Sequence, residues 1–331
     1  MAEAPFSLLQ SASIPVLEIC GATRAARRER IVSLGRDLGA CGLQVTAICQ
    51  TRQDERAEDG GRLWGSRYRI LGGPHASVLP CDLILTEGGA GLQPTATIRL
   101  DREPAQAAGD LGTLSAGSDG DEVRDGVLAW LSRIWLQTPV WACVLIGGRS
   151  SRMGRAKHLL KDGLGRTWLA RTVELLRPLV HGVVVAGRGE IPEDAGEMIR
   201  LADVPGAAGP LAGILAALRW FPAVSWLVVA CDMPDITEDA LRWLLSTRRP
   251  GIWGTLPRLQ EEGYLEPLLA HYDFRCAPLF EQLLHTGELR IVMVAENRQI
   301  ATPLVPVELR LSWRNVNTVE GLEEKGPAGT V

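Results

Sequence analysis

The sequence predicts an α/β fold made of two three-layer α/β/α domains, the C-terminal one with a mostly parallel sheet. Short runs of aliphatic and β-branched residues alternate with longer amphipathic stretches, which is the pattern of parallel strands connected by helices. At 331 residues the chain is too long for one typical domain and fits two. The hydrophobic share of 46% is that of an ordinary globular protein, so two cores can form.

The first half of the chain contains one strongly periodic stretch, Ala25–Ala40, which predicts a helix. A polar segment, Thr51–Gly61, predicts a loop. The apolar and β-rich runs that predict strands are Ile14–Cys20, Leu43–Cys49, Asp82–Thr86 and Thr95–Leu100. Together they predict the sheet of the first domain.

A change in composition marks the boundary between the domains. Between Asp101 and Gly120 the sequence shifts to Gly, Ala, Ser and Asp with little periodicity, which predicts a loop or linker. Helical spacing returns in Asp121–Gln137, and Pro139 ends it because proline disfavours helix for the residue before it. We therefore predict domains at residues 1–137 and 138–331.

The second half begins with a strand and continues in the order of a doubly wound sheet. The predicted strands are Val140–Ile146, Gly182–Ala186, Met198–Leu201 and Trp226–Ala230, and the predicted helices are Thr167–Leu176 and Leu211–Trp220. Sheets of this kind bind ligands beyond the carboxyl ends of their strands. Candidate functional residues are therefore expected just after these strands.

Composition and charge exclude several functional classes. The formal net charge of −4 gives no reason to expect nucleic-acid binding, which is typical of basic domains. The sequence has neither an 18-residue apolar run nor a basic-then-apolar N-terminus, so we expect no membrane span and a cytoplasmic location. The seven cysteines form no CxxC pair, and we expect reduced, buried thiols.

The first strand of the second half runs directly into a glycine-rich, basic loop, GGRSSRMGRAK. Gly147 and Gly148 permit close approach of backbone to phosphates because they lack a β-carbon. Arg152 and Lys157 supply the positive charge that the transition state of a reaction at a triphosphate requires. Lys157 is one of only three lysines among 35 basic residues, which makes its presence in this loop informative.

Asp232 follows the apolar strand Trp226–Ala230 and is expected to face the ligand crevice. Magnesium prefers one or two carboxylates together with substrate phosphate oxygens, so Asp232 is the candidate Mg²⁺ ligand. Asp235 or Thr237 is better placed to cap the helix that follows. The sequence thus leaves Asp232 without a structural role.

Four motifs resemble those of molybdenum cofactor guanylyltransferases, over about residues 140–324. The stretch LIGGRSSRMGRAK resembles the signature loop LAGGxSxRMGxDK, and CDMP resembles the family's metal motif. Asp203 followed by GPLAGI resembles the segment that recognises the guanine nucleotide and its ribose. Arg314 to Thr318, RNVNT, resembles the closing NVNTPEDL.

This resemblance implies a Rossmann-like nucleotidyltransferase fold and a set of site residues. The implied catalytic residues are Arg152, Lys157 and Asp232, with Asp232 also holding Mg²⁺. The implied cofactor-substrate contacts are Asn315 and Asn317, whose amides both donate and accept and so suit a pterin ring or a metal-bound water. The implied nucleotide contacts are Leu145, Gly147, Gly148, Lys157, Asp203, Gly209, Pro210, Leu211 and Gly213.

Three departures from the family pattern leave the choice of base open. Ala156 replaces an aspartate in the signature loop, as in cytidylyltransferase relatives, and Ile146 replaces an alanine. Arg188 aligns with an asparagine that contacts the nucleotide in the family. GTP and CTP therefore both remain candidate substrates.

The first domain resembles the small GTP-binding molybdopterin-guanine-dinucleotide accessory protein over about residues 14–100. A strand, a loop from Gly21 and a helix follow one another as in a P-loop, and Glu87-Gly88 follows a later strand. The pattern GxxxxGK[ST] is broken, because Ala26, Arg27 and Arg28 replace its glycine, lysine and hydroxyl residue. We therefore predict a degenerate P-loop domain kept for scaffolding or partner binding.

The resemblance implies transfer of GMP from GTP to molybdopterin, releasing pyrophosphate and forming molybdopterin guanine dinucleotide. The expected partners are GTP, molybdopterin or Mo-molybdopterin, and a recipient molybdenum or tungsten enzyme. One alternative is cytidylyl transfer to the same cofactor or another nucleotide-sugar pyrophosphorylase reaction. A second is a non-catalytic chaperone that delivers the cofactor to a molybdenum or tungsten enzyme.

Overall fold

The computed structural model describes residues 14–49, 80–87, 93–100, 114–115, 120–147 and 156–316. The chain divides into two compact units. The first is Met1–Gln137 with Arg249–Gly251, and the second is Thr138–Arg248 with Ile252–Val331. The sheet of the first unit is parallel and that of the second is mostly parallel, which confirms the predicted α/β class.

The first unit has a five-stranded parallel sheet in the order β2-β3-β1-β4-β5. Its strands are β1 (Val16–Cys20), β2 (Val45–Ile48), β3 (Leu83–Thr86), β4 (Ala96–Arg99) and β5 (Leu114–Ser115). Its helices are α1 (Arg24–Ala40) and α2 (Gly120–Gln137). Strand β5 lies within the predicted linker of residues 101–120, so this stretch is not wholly a loop as the composition predicted.

One apolar core joins both described helices of the first unit to one face of its sheet. Alternate strand residues such as Leu17 and Ile19 pack against Leu34 of α1 and Leu131 of α2. Side chains of the opposite face, such as Ile84, are also buried. The second helical layer that the sequence predicted for this unit is not among the described residues.

The second unit has a seven-stranded sheet in the order β12-β10-β11-β9-β6-β7-β8. Its strands are β6 (Val140–Ile146), β7 (Gly182–Gly187), β8 (Ile199–Leu201), β9 (Ser225–Ala230), β10 (Gly254–Thr255), β11 (Leu269–Tyr272) and β12 (Ile300–Ala301). Its helices are α3 (Trp168–Leu176), α4 (Pro210–Trp220), α5 (Glu238–Ser246) and α6 (Ala277–Thr286). Strands β6 to β9 are parallel, and β11 is antiparallel to β9.

The second unit has three layers because its strands are apolar on both faces. On one face Cys143 and Val228 pack with α4 and α6, whereas on the other Val144 and Val229 pack with α3 and α5. Thr237 caps α5 by accepting a hydrogen bond from the Ala240 amide, so it provides the helix cap and Asp232 does not. This arrangement leaves the carboxyl ends of β6 to β9 at one edge of the sheet.

Within the part of the chain that the structure describes, no helix is long and apolar enough to cross a membrane. All seven cysteines are free thiols. Five are buried as expected, but Cys20 is only partly buried and Cys41 is exposed, so the expectation of buried thiols is wrong for these two.

Candidate active site

A cavity of about 480 Å³ lies at the carboxyl ends of the parallel strands of the second unit. Four neighbouring strands contribute to it, in the order β9-β6-β7-β8. The residues predicted from the sequence that line it are Leu145, Gly147, Lys157, Asp203, Gly209, Pro210, Gly213 and Asp232. These residues come from three of the four motifs, and the crossovers of the sheet bring them together.

Lys157 and Asp232 form an ion pair at one end of the cavity. Lys157 lies on a 3₁₀ turn, Lys157–Leu159, and Asp232 lies two residues after β9. The Lys157 Nζ is 2.8 Å from the Asp232 Oδ2, and the two side chains are 16% and 23% exposed. Both charges therefore border the cavity and stay accessible to a ligand.

Gly147, the residue after β6, occupies a position that no other residue type can take without strain. Its φ is +97°, and a Cβ there would lie 2.8 Å from the carbonyl oxygen of Arg188. This glycine lets the ends of β6 and β7 approach each other under the cavity.

The amino end of α4 forms another wall of the cavity. Gly209 precedes the helix with a φ of +60°, and Pro210 occupies the first turn, where its missing N–H costs nothing. A Cβ on Gly213 would lie 2.6 Å from the Leu145 Cδ2, so this glycine lets α4 pack closely on β6. The Ala212 amide donates to the Gly209 carbonyl at 3.2 Å, and the positive end of the helix dipole at this terminus favours an anionic or electron-rich ligand.

A second charged pair lies at the other end of the cavity. Arg188 follows β7 and Asp203 follows β8, and the Arg188 Nε is 3.5 Å from the Asp203 Oδ2. The Arg188 side chain is 92% exposed and that of Asp203 is 32% exposed. Three inter-strand steps of about 4.8 Å separate β9 from β8, so the strand ends that precede Asp232 and Asp203 lie roughly 14 Å apart.

Comparison with known proteins gives consistent matches to this unit. A family model described as a MobA-like NTP transferase domain matches residues 142–300. The molybdenum cofactor guanylyltransferase of Rhizobium meliloti is 34% identical over 197 residues, which are 55% of this chain and 88% of that protein. The chain belongs to the MobA-like NTP transferase family. It is therefore an enzyme of the nucleotidyltransferase class.

Two further matches cover the same part of the chain. The molybdenum cofactor biosynthesis bifunctional protein of a Synechocystis strain is 29% identical over 153 residues, or 46% of this chain. The chain spans only 44% of the length of that bifunctional protein. Among solved structures, molybdopterin-guanine dinucleotide biosynthesis protein A from Archaeoglobus fulgidus is 28% identical, with a TM-score of 0.45, and the match covers 56% of this chain and 95% of that one.

Two predicted contacts of this MobA-like site lie away from the cavity. The Leu211 side chain is 1% exposed and packs in the core beneath α4, because its place in the first turn points it toward the sheet. Asn315 is exposed and does not line the cavity. Its neighbour Val316 donates a backbone hydrogen bond to the Asp232 carbonyl at 3.0 Å, which holds the C-terminal motif beside the strand end. Three further predicted site residues lie outside the described part of the chain: Gly148, Arg152 and Asn317.

Several cavity residues were not predicted as contacts. Gly187 and Arg188 end β7, and the rule that ligands bind at the carboxyl ends of strands would have found them. Leu268 precedes the antiparallel strand β11, which this rule does not cover. Cys231 also lines the cavity, but burial raises the pKa of its thiol to about 12, so it is protonated at neutral pH and does not act as a nucleophile.

The donor set at Asp232 fits a magnesium ion that is shared with a substrate. Among the described residues, no three histidine, cysteine or acidic side chains form a cluster that could hold a metal ion alone. Mg²⁺ commonly takes one or two carboxylates and completes its shell with phosphate oxygens and water. A single accessible carboxylate facing a cavity that also holds Lys157 has the donor chemistry that such shared binding needs.

Proposed function

We propose that the second unit transfers a guanylyl group from GTP to the phosphate of molybdopterin, releasing pyrophosphate and forming molybdopterin guanine dinucleotide. The observation that carries the proposal is the Lys157–Asp232 pair, which borders the cavity at the carboxyl ends of the strands. The names of the relatives support the choice of acceptor. Molybdopterin, GTP and Mg²⁺ are the ligands that the proposal requires.

In the proposed reaction, an oxygen of the acceptor phosphate attacks the α-phosphorus of GTP. A new phosphorus–oxygen bond forms, and the bond from the α-phosphorus to the oxygen bridging the β-phosphate breaks. Pyrophosphate leaves with that electron pair. Such transfers require positioning and charge neutralisation rather than a protein nucleophile, which agrees with the buried, protonated thiol of Cys231.

Lys157 would supply positive charge to the triphosphate. Its ammonium group already borders the cavity, where Asp232 holds it at 2.8 Å, so little ordering of the side chain is needed when the phosphates arrive. Arg152, from the same glycine-rich loop, would add a second cation for the departing pyrophosphate. Asp232 would hold Mg²⁺, which when bound supplies charge neutralisation at the phosphate oxygens.

The end of the cavity at Asp203 would bind the base. Guanine carries two adjacent N–H donors on its pairing edge, and a carboxylate accepts both at once, whereas cytosine offers one amino group beside two acceptors. Asp203 therefore favours guanine. Arg188, which now pairs with this carboxylate, favours the second candidate, cytidylyl transfer, because its guanidinium can donate to two acceptors.

The test is incubation of the purified full chain with molybdopterin, Mg²⁺ and either GTP or CTP. We expect pyrophosphate release and the guanine dinucleotide with GTP, and at least tenfold less product with CTP. Preference for CTP would replace the guanylyl assignment by the cytidylyl one. Tight molybdopterin binding without any dinucleotide would instead identify a carrier that delivers the cofactor to a recipient molybdenum or tungsten enzyme.

For the first unit, we propose a degenerate P-loop domain that does not bind a nucleoside triphosphate in the standard manner. Arg27, which stands where a P-loop has its lysine, donates hydrogen bonds to the carbonyl oxygens of Gly21 and Ala22 at 3.0 Å and 2.9 Å. Its guanidinium thus bonds to the loop's own backbone. This geometry supports a scaffolding or partner-binding role.

A further inference from the structure

A buried histidine lies directly beside the cavity lysine. His158 follows Lys157 on the 3₁₀ turn, and it is 1% exposed. Its Nε2 lies 2.9 Å from the carbonyl oxygen of Glu190, and a Cβ added to Gly189 would lie 2.7 Å from its Cε1. The imidazole therefore packs tightly against the backbone that follows β7.

The hydrogen bond requires one protonation state of this imidazole. Burial lowers the pKa of His158 below its ordinary value, so the ring is neutral at physiological pH. A carbonyl oxygen only accepts, so the proton lies on Nε2 and donates to Glu190. The Nδ1 is buried without a hydrogen-bond partner in the described part of the chain, and the charged side chains nearby are Arg200 and Glu190.

This contact joins two segments that border the cavity at different ends. The turn carries Lys157 beside Asp232, whereas the segment after β7 carries Arg188 beside Asp203. The turn's other backbone bonds are local or lead away from the cavity: Leu160 donates to the Lys157 carbonyl and accepts from the Trp168 amide. The Arg200 guanidinium also donates to the Gly189 carbonyl, which further fixes the loop that receives the histidine.

We propose that His158 is a positioning residue for the nucleotide, which sets the Lys157 ammonium relative to the segment at Arg188. This inference rests on the proposed function, because it assigns the two ends of the cavity to the phosphates and the base of one nucleotide. His158 touches neither end itself. It acts through the backbone of Lys157 on one side and that of Gly189 and Glu190 on the other.

The test compares His158→Phe with His158→Gln in the full chain. Phenylalanine retains a ring against Gly189 but removes the N–H, whereas glutamine carries an N–H donor at a comparable distance from the backbone. We expect His158→Phe to raise the KM for GTP about tenfold, the effect of losing one buried hydrogen bond, with kcat changed less than threefold. His158→Gln should stay within about threefold of wild type in KM.

A double-mutant cycle separates positioning from general destabilisation. If His158 acts through Lys157, then His158→Phe should lower kcat/KM for GTP, measured from pyrophosphate release, far less in a Lys157→Ala background than in wild type. The matched control is His285→Phe, a substitution at an exposed histidine on α6, which should change neither parameter. Thermal unfolding of each variant reports whether it remains folded.

The outcomes of these experiments distinguish a failure of the positioning role of His158 from a failure of the proposed function. If the wild-type chain binds GTP or CTP and His158→Phe binds the same nucleotide equally well, the positioning role is wrong and the proposed function stands. The same conclusion follows if the losses from His158→Phe and Lys157→Ala simply add in the double mutant. If wild type binds neither nucleotide, both are wrong. A selective rise in KM that glutamine rescues and that disappears without Lys157 supports the role.

Discussion

In both units of this protein, basic residues follow the first strand and a carboxylate follows a later one. In the first unit these charges pair with each other, whereas in the second the carboxylate borders a cavity. In the first, residues 21–28 follow β1, and Glu87 comes from the end of β3. In the second, residues 147–157 follow β6, and Asp232 comes after β9. Glu87 is 3% exposed, with the Nε atoms of Arg24 and Arg28 each 3.4 Å away, whereas Asp232 is 23% exposed and meets one lysine.

The difference shows that basic residues near a strand end do not by themselves make a phosphate site. Two guanidinium groups bury the Glu87 carboxylate, and Arg27 takes the loop's own carbonyl groups as acceptors. The charged groups of Glu87, Arg24, Arg27 and Arg28 thus contact other protein groups. In the second unit one lysine leaves Asp232 accessible, and Gly147 and Gly213 let the elements that line the cavity pack closely together.

Among the substitutions that test this comparison, Lys157→Ala is expected to have the largest effect. We expect kcat/KM for dinucleotide formation to fall about a thousandfold, because the triphosphate loses a positioned cation and Asp232 loses its counter-charge. Pyrophosphate release measures the loss. Lys161→Ala, at an exposed lysine four residues along, is the matched control and should retain wild-type activity.

The same variant tests the first unit. Calorimetry should give one GTP site per wild-type chain and none in Lys157→Ala. A site that survives this substitution would show that the first unit binds nucleotide in spite of Arg27. The contrast between the two units would then be wrong.

A smaller effect is expected from Gly147→Ala. The added Cβ would meet the Arg188 carbonyl oxygen at 2.8 Å with a φ of +97°, so the end of β6 must move away from β7. Strain of about 2 kcal/mol at this position corresponds to roughly thirtyfold weaker nucleotide binding, measured as KM for GTP. Gly163→Ala is the control, since its Cβ would meet nothing within 4 Å. Equal KM values in the two variants would show that this close approach does not shape the site.

In the first unit, Glu87→Gln should alter stability and leave transfer unaffected. The substitution removes a buried carboxylate from between Arg24 and Arg28, which are 32% and 34% exposed. Because both arginines can still reach water, we expect a loss of about 2 kcal/mol in the free energy of unfolding, less than for a fully buried pair. Urea unfolding measures this, with Glu29→Gln on the exposed side of α1 as control. A fall in kcat/KM comparable to that of Lys157→Ala would contradict the structural role of Glu87.

The sequence predicted the fold well because strand and helix periodicities are local. The predicted strand Val140–Ile146 matches β6 residue for residue, and the predicted helix Leu211–Trp220 begins one residue inside α4 and ends with it. Leu211 was different, since a motif does not show which of its side chains points into the core. The Arg188–Asp203 pair forms because β7 and β8 are neighbours in the sheet, and Leu268 reaches the cavity beside the antiparallel strand β11. Predicting these two features would have required the order and direction of the strands.

The smallest effect concerns Arg188, which binds the carboxylate that we assign to the base. If guanine takes both oxygens of Asp203, its binding must first break a 3.5 Å ion pair whose arginine is 92% exposed. Exposed pairs are worth up to about 1 kcal/mol, so Arg188→Asn should lower the KM for GTP by no more than about fivefold. Arg188→Lys retains the charge and should remain near wild type. A rise in the GTP KM of Arg188→Asn would mean that the arginine donates to the base itself.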